Sequence, residues 1–178
     1  MAMKQSFRSA EERKIFMSMS DDERRNQRKP LTTAKIKGLK AATASDRARY
    51  LENEALGQEE LWTAFEGGYL TGWEDRGVGR LVTPIWPHKE FVDCFAAFQS
   101  NDVTAVPIPI TDWVDIVTPD LLDEHRLVAL FPIDGEDVML VEPVDLVNEW
   151  EESWKRYLKY QYKFGDKATH KAFGFDQE

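Results

Sequence analysis

The sequence predicts an α+β fold: one domain with a mixed or antiparallel sheet of about five to six strands, helices packed on it, and a helical N-terminal extension. Three observations carry this expectation. Runs rich in aromatic and β-branched residues, bounded by turn residues, recur at 60–65 (ELWTAF), 80–86 (RLVTPIW), 104–110 (TAVPIPI) and 126–132 (RLVALFP). Stretches with apolar residues at three- and four-residue steps stand before, between and after them. The chain has 178 residues, 42% of them hydrophobic, enough to bury one sizeable core. The expected organisation is a basic extension over 1–31, the α+β domain over 32–161 and a tail over 162–178.

The extension is poor in large apolar side chains apart from Ile15, Phe16, Met17 and Met19. Ser9-Ala-Glu-Glu and Ser20-Asp-Asp-Glu have capping-box spacing, in which a hydroxyl and a carboxylate satisfy each other's backbone N–H. Pro30 ends a short helix bearing Arg24, Arg25, Arg28 and Lys29, and Thr32 or Thr33 caps the next, 34–42. Ser45 opens a firmer helix with Ala48, Leu51 and Ala55 on its apolar face and Gly57 as its stop. Strand 60–65, the Gly67-Gly68 turn, strand 69–73, the turn 75–79 and strand 80–86 then give a three-stranded meander.

Pro87 suits the first turn of a helix, where its missing N–H would have no partner anyway. From it Phe91, Phe95 and Phe98 recur at helical spacing, with Cys94 among them as a buried thiol. Pro107 and Pro109 remove ladder donors from the extended segment 104–110, which makes it an edge strand. Thr111 or Asp112 caps a helix over 113–122 that Pro119 interrupts or forces into two short turns. The apolar run 126–132 reads as a buried strand, turned by Asp134-Gly135-Glu136 into 138–142. Pro143 opens the last helix, to about residue 160, with Val144, Val147, Trp150, Trp154 and Leu158 facing the sheet. The tail reads as a segment docked through Phe173 and Phe175, or as a partner-binding peptide.

Charge is distributed unevenly behind the net −9. Residues 1–50 carry 13 Lys+Arg and 6 Asp+Glu, residues 51–150 carry 4 and 21, and residues 151–178 carry 6 and 5. The middle segment therefore stands at −17, a field that repels nucleic acid and attracts a basic partner. Nucleic-acid contact is expected only through residues 1–49, whose positive charge lacks interleaved aromatics. One cysteine excludes an internal disulfide. No apolar run reaches the roughly 20 residues of a membrane span, and residues 1–20 lack the apolar centre of a signal peptide, so the expected location is cytoplasmic.

A helix of the type SDRARYLENE, then ELWTAFEGGYLTGWED, LVTPIWPHKEFVDCFA, a proline-containing strand into a tryptophan-bearing helix, and LVALFP together resemble the bacterial family known as domain of unknown function 2750, across residues 32–154. The resemblance implies a small α+β fold of unassigned activity and brings no catalytic residues with it. Residues 1–31 and 162–178 stand outside the family's usual extent. The strand-then-helix pattern is also distantly similar to secretion-enhancer and toxin-immunity modules.

The inventory for catalysis is thin. His88, His125 and His170 lie on separate elements, and none stands in a metal-ligating arrangement, so neither metal nor cofactor is expected. Ser100 and Ser153 lack a nucleophile-elbow context, and Gly77 with Gly79 makes a turn rather than a phosphate loop. Glu74, Asp75 and Glu90 are the carboxylates expected to approach one another. Packing leaves the Trp86-Pro87-His88-Lys89 corner unexplained, placed beside the 75–79 turn. The candidate binding residues are therefore Asp75, Arg76, Trp86, His88 and Lys89. The functional expectation is a non-catalytic acidic protein-binding module, immunity- or adaptor-like, whose partner is a protein with a basic surface. The alternatives are a small enzyme or small-molecule binder at the Trp86 and His88 corner, and nucleic-acid association through the basic arm.

Overall fold

The computed structural model describes residues 28–95 and 102–164, with Ser20, Glu23 and Arg25; of Trp154 and residues 156–164 it describes the backbone alone. The chain divides into two compact units, residues 1–42 and 43–178. In the first, Ser20 and Glu23 close the expected capping box: the Ser20 N–H donates to Glu23 Oε2 at 2.8 Å, and the Glu23 N–H donates to Ser20 Oγ at 3.3 Å. Helix α1 (Thr33–Lys40) starts where Thr32 Oγ1 accepts from the Lys35 N–H. The expectations for Ser9, the apolar cluster at 15–19, Phe98, Phe173 and Phe175 fall outside the described residues.

The second unit is an α+β domain. Helix α2 (Ala44–Gln58) begins one residue before the expected cap, because Thr43 rather than Ser45 accepts the orphan N–H of Asp46. It also runs through Gly57. Glu59, in left-handed backbone at φ 57°, ends it by donating its N–H to Ala55 O. The buried face of α2 is Arg47, Leu51 and Ala55, and it packs on β1 (Glu60–Glu66).

β2 (Tyr69–Leu70), β3 (Trp73–Asp75) and β4 (Arg80–Ile85) follow, and here the expected meander is corrected. Segment 69–73 is two strands in two sheets: β2 pairs with β1, whereas β3 pairs with β4. The break falls at Gly72, and its cause is steric. A Cβ at Gly72 would lie 1.9 Å from the carbonyl oxygen of Val82, so the chain passes between sheets where only glycine fits.

After β4 the chain enters α3 (Lys89–Asp93), a single short turn. Pro87 is not in that turn. His88 occupies the N-cap in extended backbone. Cys94, expected to be buried, is exposed, because the short helix ends before turning it inward; its thiol donates to Glu90 O. Phe91, Val92 and Phe95 are buried as expected. β5 (Val103–Pro109) pairs with β1 alone along its whole length, so it is the edge strand that Pro107 and Pro109 imply.

A continuous helical segment follows: α4 (Ile110–Asp112), a wide π-helical stretch (Trp113–Val117) and α5 (Thr118–Asp123). Thr111 and Asp112 lie within it and cap nothing, since Pro109 supplies the extended residue before it. Pro119 does not interrupt it either. The turn ahead of the proline widens, Thr118 donating its N–H and its hydroxyl to Trp113 O, and takes up the ring that a regular turn would clash with. β6 (Leu127–Leu130) is buried throughout and runs parallel to β4, and β7 (Met139–Val141) completes the expected second hairpin. Helix α6 (Pro143–Phe164) extends past residue 160 and buries Leu146 and Trp150; Val144, expected on that face, is 44% exposed.

The strands form two sheets, β2-β1-β5 and β3-β4-β6-β7. One antiparallel bridge joins them: Trp62 and Trp86 exchange N–H···O bonds, both 2.8 Å. Beside it the Thr63 hydroxyl donates to Pro84 O at 2.8 Å. The domain is thus built on one antiparallel and one mixed sheet, hinged at one tryptophan pair. The Gly72→Ala variant is expected to lose about 2–4 kcal/mol of stability, because its methyl meets backbone rather than a movable side chain. A urea unfolding midpoint unchanged from the parent would contradict the close approach.

Candidate functional site

The structure distributes the five candidate residues over four places. Trp86 is fully buried, its indole N–H donating to Pro132 O at 2.9 Å and its ring meeting Phe95 edge-on at 5.3 Å. It has no surface to offer. Asp75 shapes its own turn, Oδ1 accepting from the Gly77 and Val78 N–H groups, with Arg76 exposed at the tip. Lys89 is exposed and ion-paired with Asp93 at 2.6 Å, one helical turn on. The register Asp75↔Arg80 puts the turn at the start of β4, while His88 lies past its end. At the rise of a strand that is a separation of roughly 20 Å or more. The corner and the turn therefore stand at opposite ends of β4.

His88 instead meets a helix. Its ring is 14% exposed, and Nε2 lies 2.9 Å from the Tyr50 hydroxyl and 3.8 Å from Glu54 Oε2. Phe91 and Tyr50 flank the ring, and Phe131 packs between them, edge-on to Phe91 at 4.6 Å. Gln58 donates to Glu54 Oε2 at 2.7 Å and orients that carboxylate. Burial first, and then the carboxylates of Glu54 and Glu90, hold the Tyr50 hydroxyl well above the ordinary tyrosine range, so it keeps its proton. Tyr50, Glu54 and Gln58 were not singled out by sequence. The signal was present in part: Tyr50 and Glu54, four residues apart, border the apolar stripe of Leu51 and Ala55.

Three arginines of the domain are held by groups from other elements. Arg47 is 1% exposed and donates from Nε to Phe131 O at 3.1 Å and from Nη2 to Asp137 O, which ties α2 to the β6–β7 connection. Arg80 grips both carboxylate oxygens of Glu142 and the His125 carbonyl. That pairing holds the Glu142 carboxyl below its usual range. Arg126 binds Glu124 and reaches Leu70 O in the other sheet.

Most acidic side chains, by contrast, lie at the surface, although Glu60 is buried. Residues 90–125 contain no Lys or Arg and eight Asp or Glu. Four of the acids, Asp112, Asp115, Asp120 and Asp123, are exposed on the helical segment 110–123, and they make no ion pair among the described residues. Ile116 stands among them at 59% exposure and Leu122 at 39%. Among the described residues no group of three or more His, Cys, Asp or Glu is arranged to hold a metal ion, and no helix is long and apolar enough to cross a membrane.

These features define a small α+β domain with a tryptophan-joined pair of sheets, inward arginines and an acidic helical face. A family described as protein of unknown function DUF2750 matches residues 48–150, more than half of the chain, and the chain belongs to that family. The match runs from within α2 to within α6 and takes in Tyr50, Glu54, Trp62, Trp86 and His88. No curated protein and no solved structure matches the chain.

Trp86→Phe keeps most of the buried ring but leaves Pro132 O without its donor. The expected loss is about 1–3 kcal/mol. Chemical denaturation of the variant measures it, and an unchanged midpoint would mean that the indole hydrogen bond contributes nothing.

Proposed function

We propose that the domain is a non-catalytic protein-binding module, adaptor- or immunity-like, whose acidic face engages a partner with a basic surface. One observation carries this reading: the exposed, unneutralised carboxylates of segment 110–123 surround exposed Ile116 and Leu122, in a 36-residue stretch without a single Lys or Arg. Such a face steers a cationic partner from a distance and offers apolar area once contact is made. Arg80, Arg126 and Lys89, three of the four basic residues within 51–150, pair with Glu142, Glu124 and Asp93 rather than with the four helical aspartates. A cytoplasmic setting goes with this reading, since the one free cysteine is exposed and suits a reducing compartment.

The test is affinity capture with the full chain from an extract of its native cell, at low and at high salt, with partners identified by mass spectrometry and their binding remeasured with purified protein. The expected partner is a basic protein whose affinity falls at least tenfold in the triple variant D112K, D115K and D120K, and falls with added salt. A control variant with Glu66→Lys and Glu74→Lys, on the strands, should bind as the parent does. Capture of no partner at low salt, or binding indifferent to the helical charge reversal, would overturn the reading.

A further inference from the structure

We propose that the domain takes its partner by strand addition: an extended basic segment of the partner pairs with the outer edge of β5 at Val103 and Ala105. The proposal rests on the protein-binding reading and adds how the partner is held. Register decides which groups the edge presents. Trp62 exchanges both its backbone bonds with Trp86, and Ala64 O accepts from the Thr71 N–H, so these residues of β1 turn their polar groups away from β5. They stand opposite Pro107 and Ala105. Opposed residues of an antiparallel ladder alternate between bonded and unbonded pairs, so Val103, Ala105, Pro107 and Pro109 direct their backbone groups outward.

Along that edge the two prolines have no N–H to give, which closes its second half to a strand. Val103 and Ala105 each present an N–H and a carbonyl, and among the described residues none of these four groups makes a hydrogen bond. Helix α3 packs on β5, but it packs on β1 as well, so it lies across the sheet rather than beyond the edge. Two neighbouring outward residues, each with donor and acceptor, are what an added strand pairs with.

Charge selects the occupant. β5 lies inside the stretch 90–125 that holds no Lys or Arg. Asp102 is exposed at the open end of the edge, and the other end runs directly into segment 110–123 with its four exposed aspartates. A strand with Lys or Arg on either side of its pairing residues therefore meets carboxylates at both ends. A second copy of this chain would set acid against acid, since each carries 4 Lys+Arg against 21 Asp+Glu over residues 51–150.

The probe is a peptide of about eight alternating Lys and Thr residues, the length of an ordinary strand, beside a copy methylated on every backbone nitrogen, which keeps the charge and cannot pair. Each is titrated into the full chain at low salt, with amide hydrogen exchange read at Val103 and Ala105. The first peptide is expected to slow both amides by about tenfold or more, and the methylated copy to leave them as they were. Ala105→Pro, which removes one outward donor, should weaken binding of the first peptide about tenfold. Unchanged exchange at the two amides, or equal protection by the methylated copy, would overturn the proposal, and neither result depends on a variant that must fold. A dimer of the chain alone that Ala105→Pro dissolves, seen by sedimentation, would give the edge to a second copy and also overturn it. Peptide binding weakened by the D112K, D115K and D120K triple variant but indifferent to methylation would sink strand addition and leave the acidic-face reading standing.

Discussion

The pair of backbone hydrogen bonds between Trp62 and Trp86 is the constraint on which the domain depends. β1 is the middle strand of one sheet and β4 an inner strand of the other, and elsewhere the two sheets keep separate ladders. At the bridge their backbones meet in the core, where an unpaired N–H or carbonyl is costly, so each residue satisfies the other. Burying the whole Trp86 side chain makes the junction hard to open. Its indole N–H carries the constraint onward to Pro132 at the end of β6, and Thr63 adds a side-chain bond across the same seam. Gly72 is the other half of this design, the place where the chain crosses between sheets with backbone against backbone.

Around that seam the two signs of charge have different uses. Three arginines tie elements together through carbonyls and single carboxylates: Arg47 at Phe131 and Asp137, Arg80 at His125 and Glu142, Arg126 at Leu70 and Glu124. A planar guanidinium with several donors suits such work, because one side chain can satisfy carbonyls from two elements at once. Carboxylates are left on the outside, most densely along 110–123.

Much of the fold was legible in the sequence because its signals are local. The strand 60–65, the edge strand marked by Pro107 and Pro109, the buried run 127–130 and its hairpin are read from composition and turn residues alone. The misreadings are non-local. Segment 69–73 has the composition of one hairpin strand, and only the Val82 carbonyl pressing on Gly72 divides it. Pro119 signals a break, yet a widened turn absorbs it. Cys94 and Phe95 are neighbours in an apparent apolar face, but the helix ends too soon to bury both. The site was legible to a similar extent. His88 was noticed as unexplained by packing, whereas its partners Tyr50 and Glu54 lie 38 and 34 positions upstream, and helical periodicity places them on α2 without saying what α2 touches. Trp86 and the Asp75 turn looked adjacent to one another only because a strand's length vanishes when a chain is read as letters.

Amide hydrogen exchange at Trp62 and Trp86 tests the central claim most directly. If the bridge is the joint on which both sheets rely, both amides should exchange only through global unfolding, with a free energy equal to that from urea denaturation and matching the buried Val128. Exchange of either amide at the faster rate of the short edge strands β3 and β7, while Val128 stays protected, would mean that the sheets part without the fold coming undone, and would contradict the account.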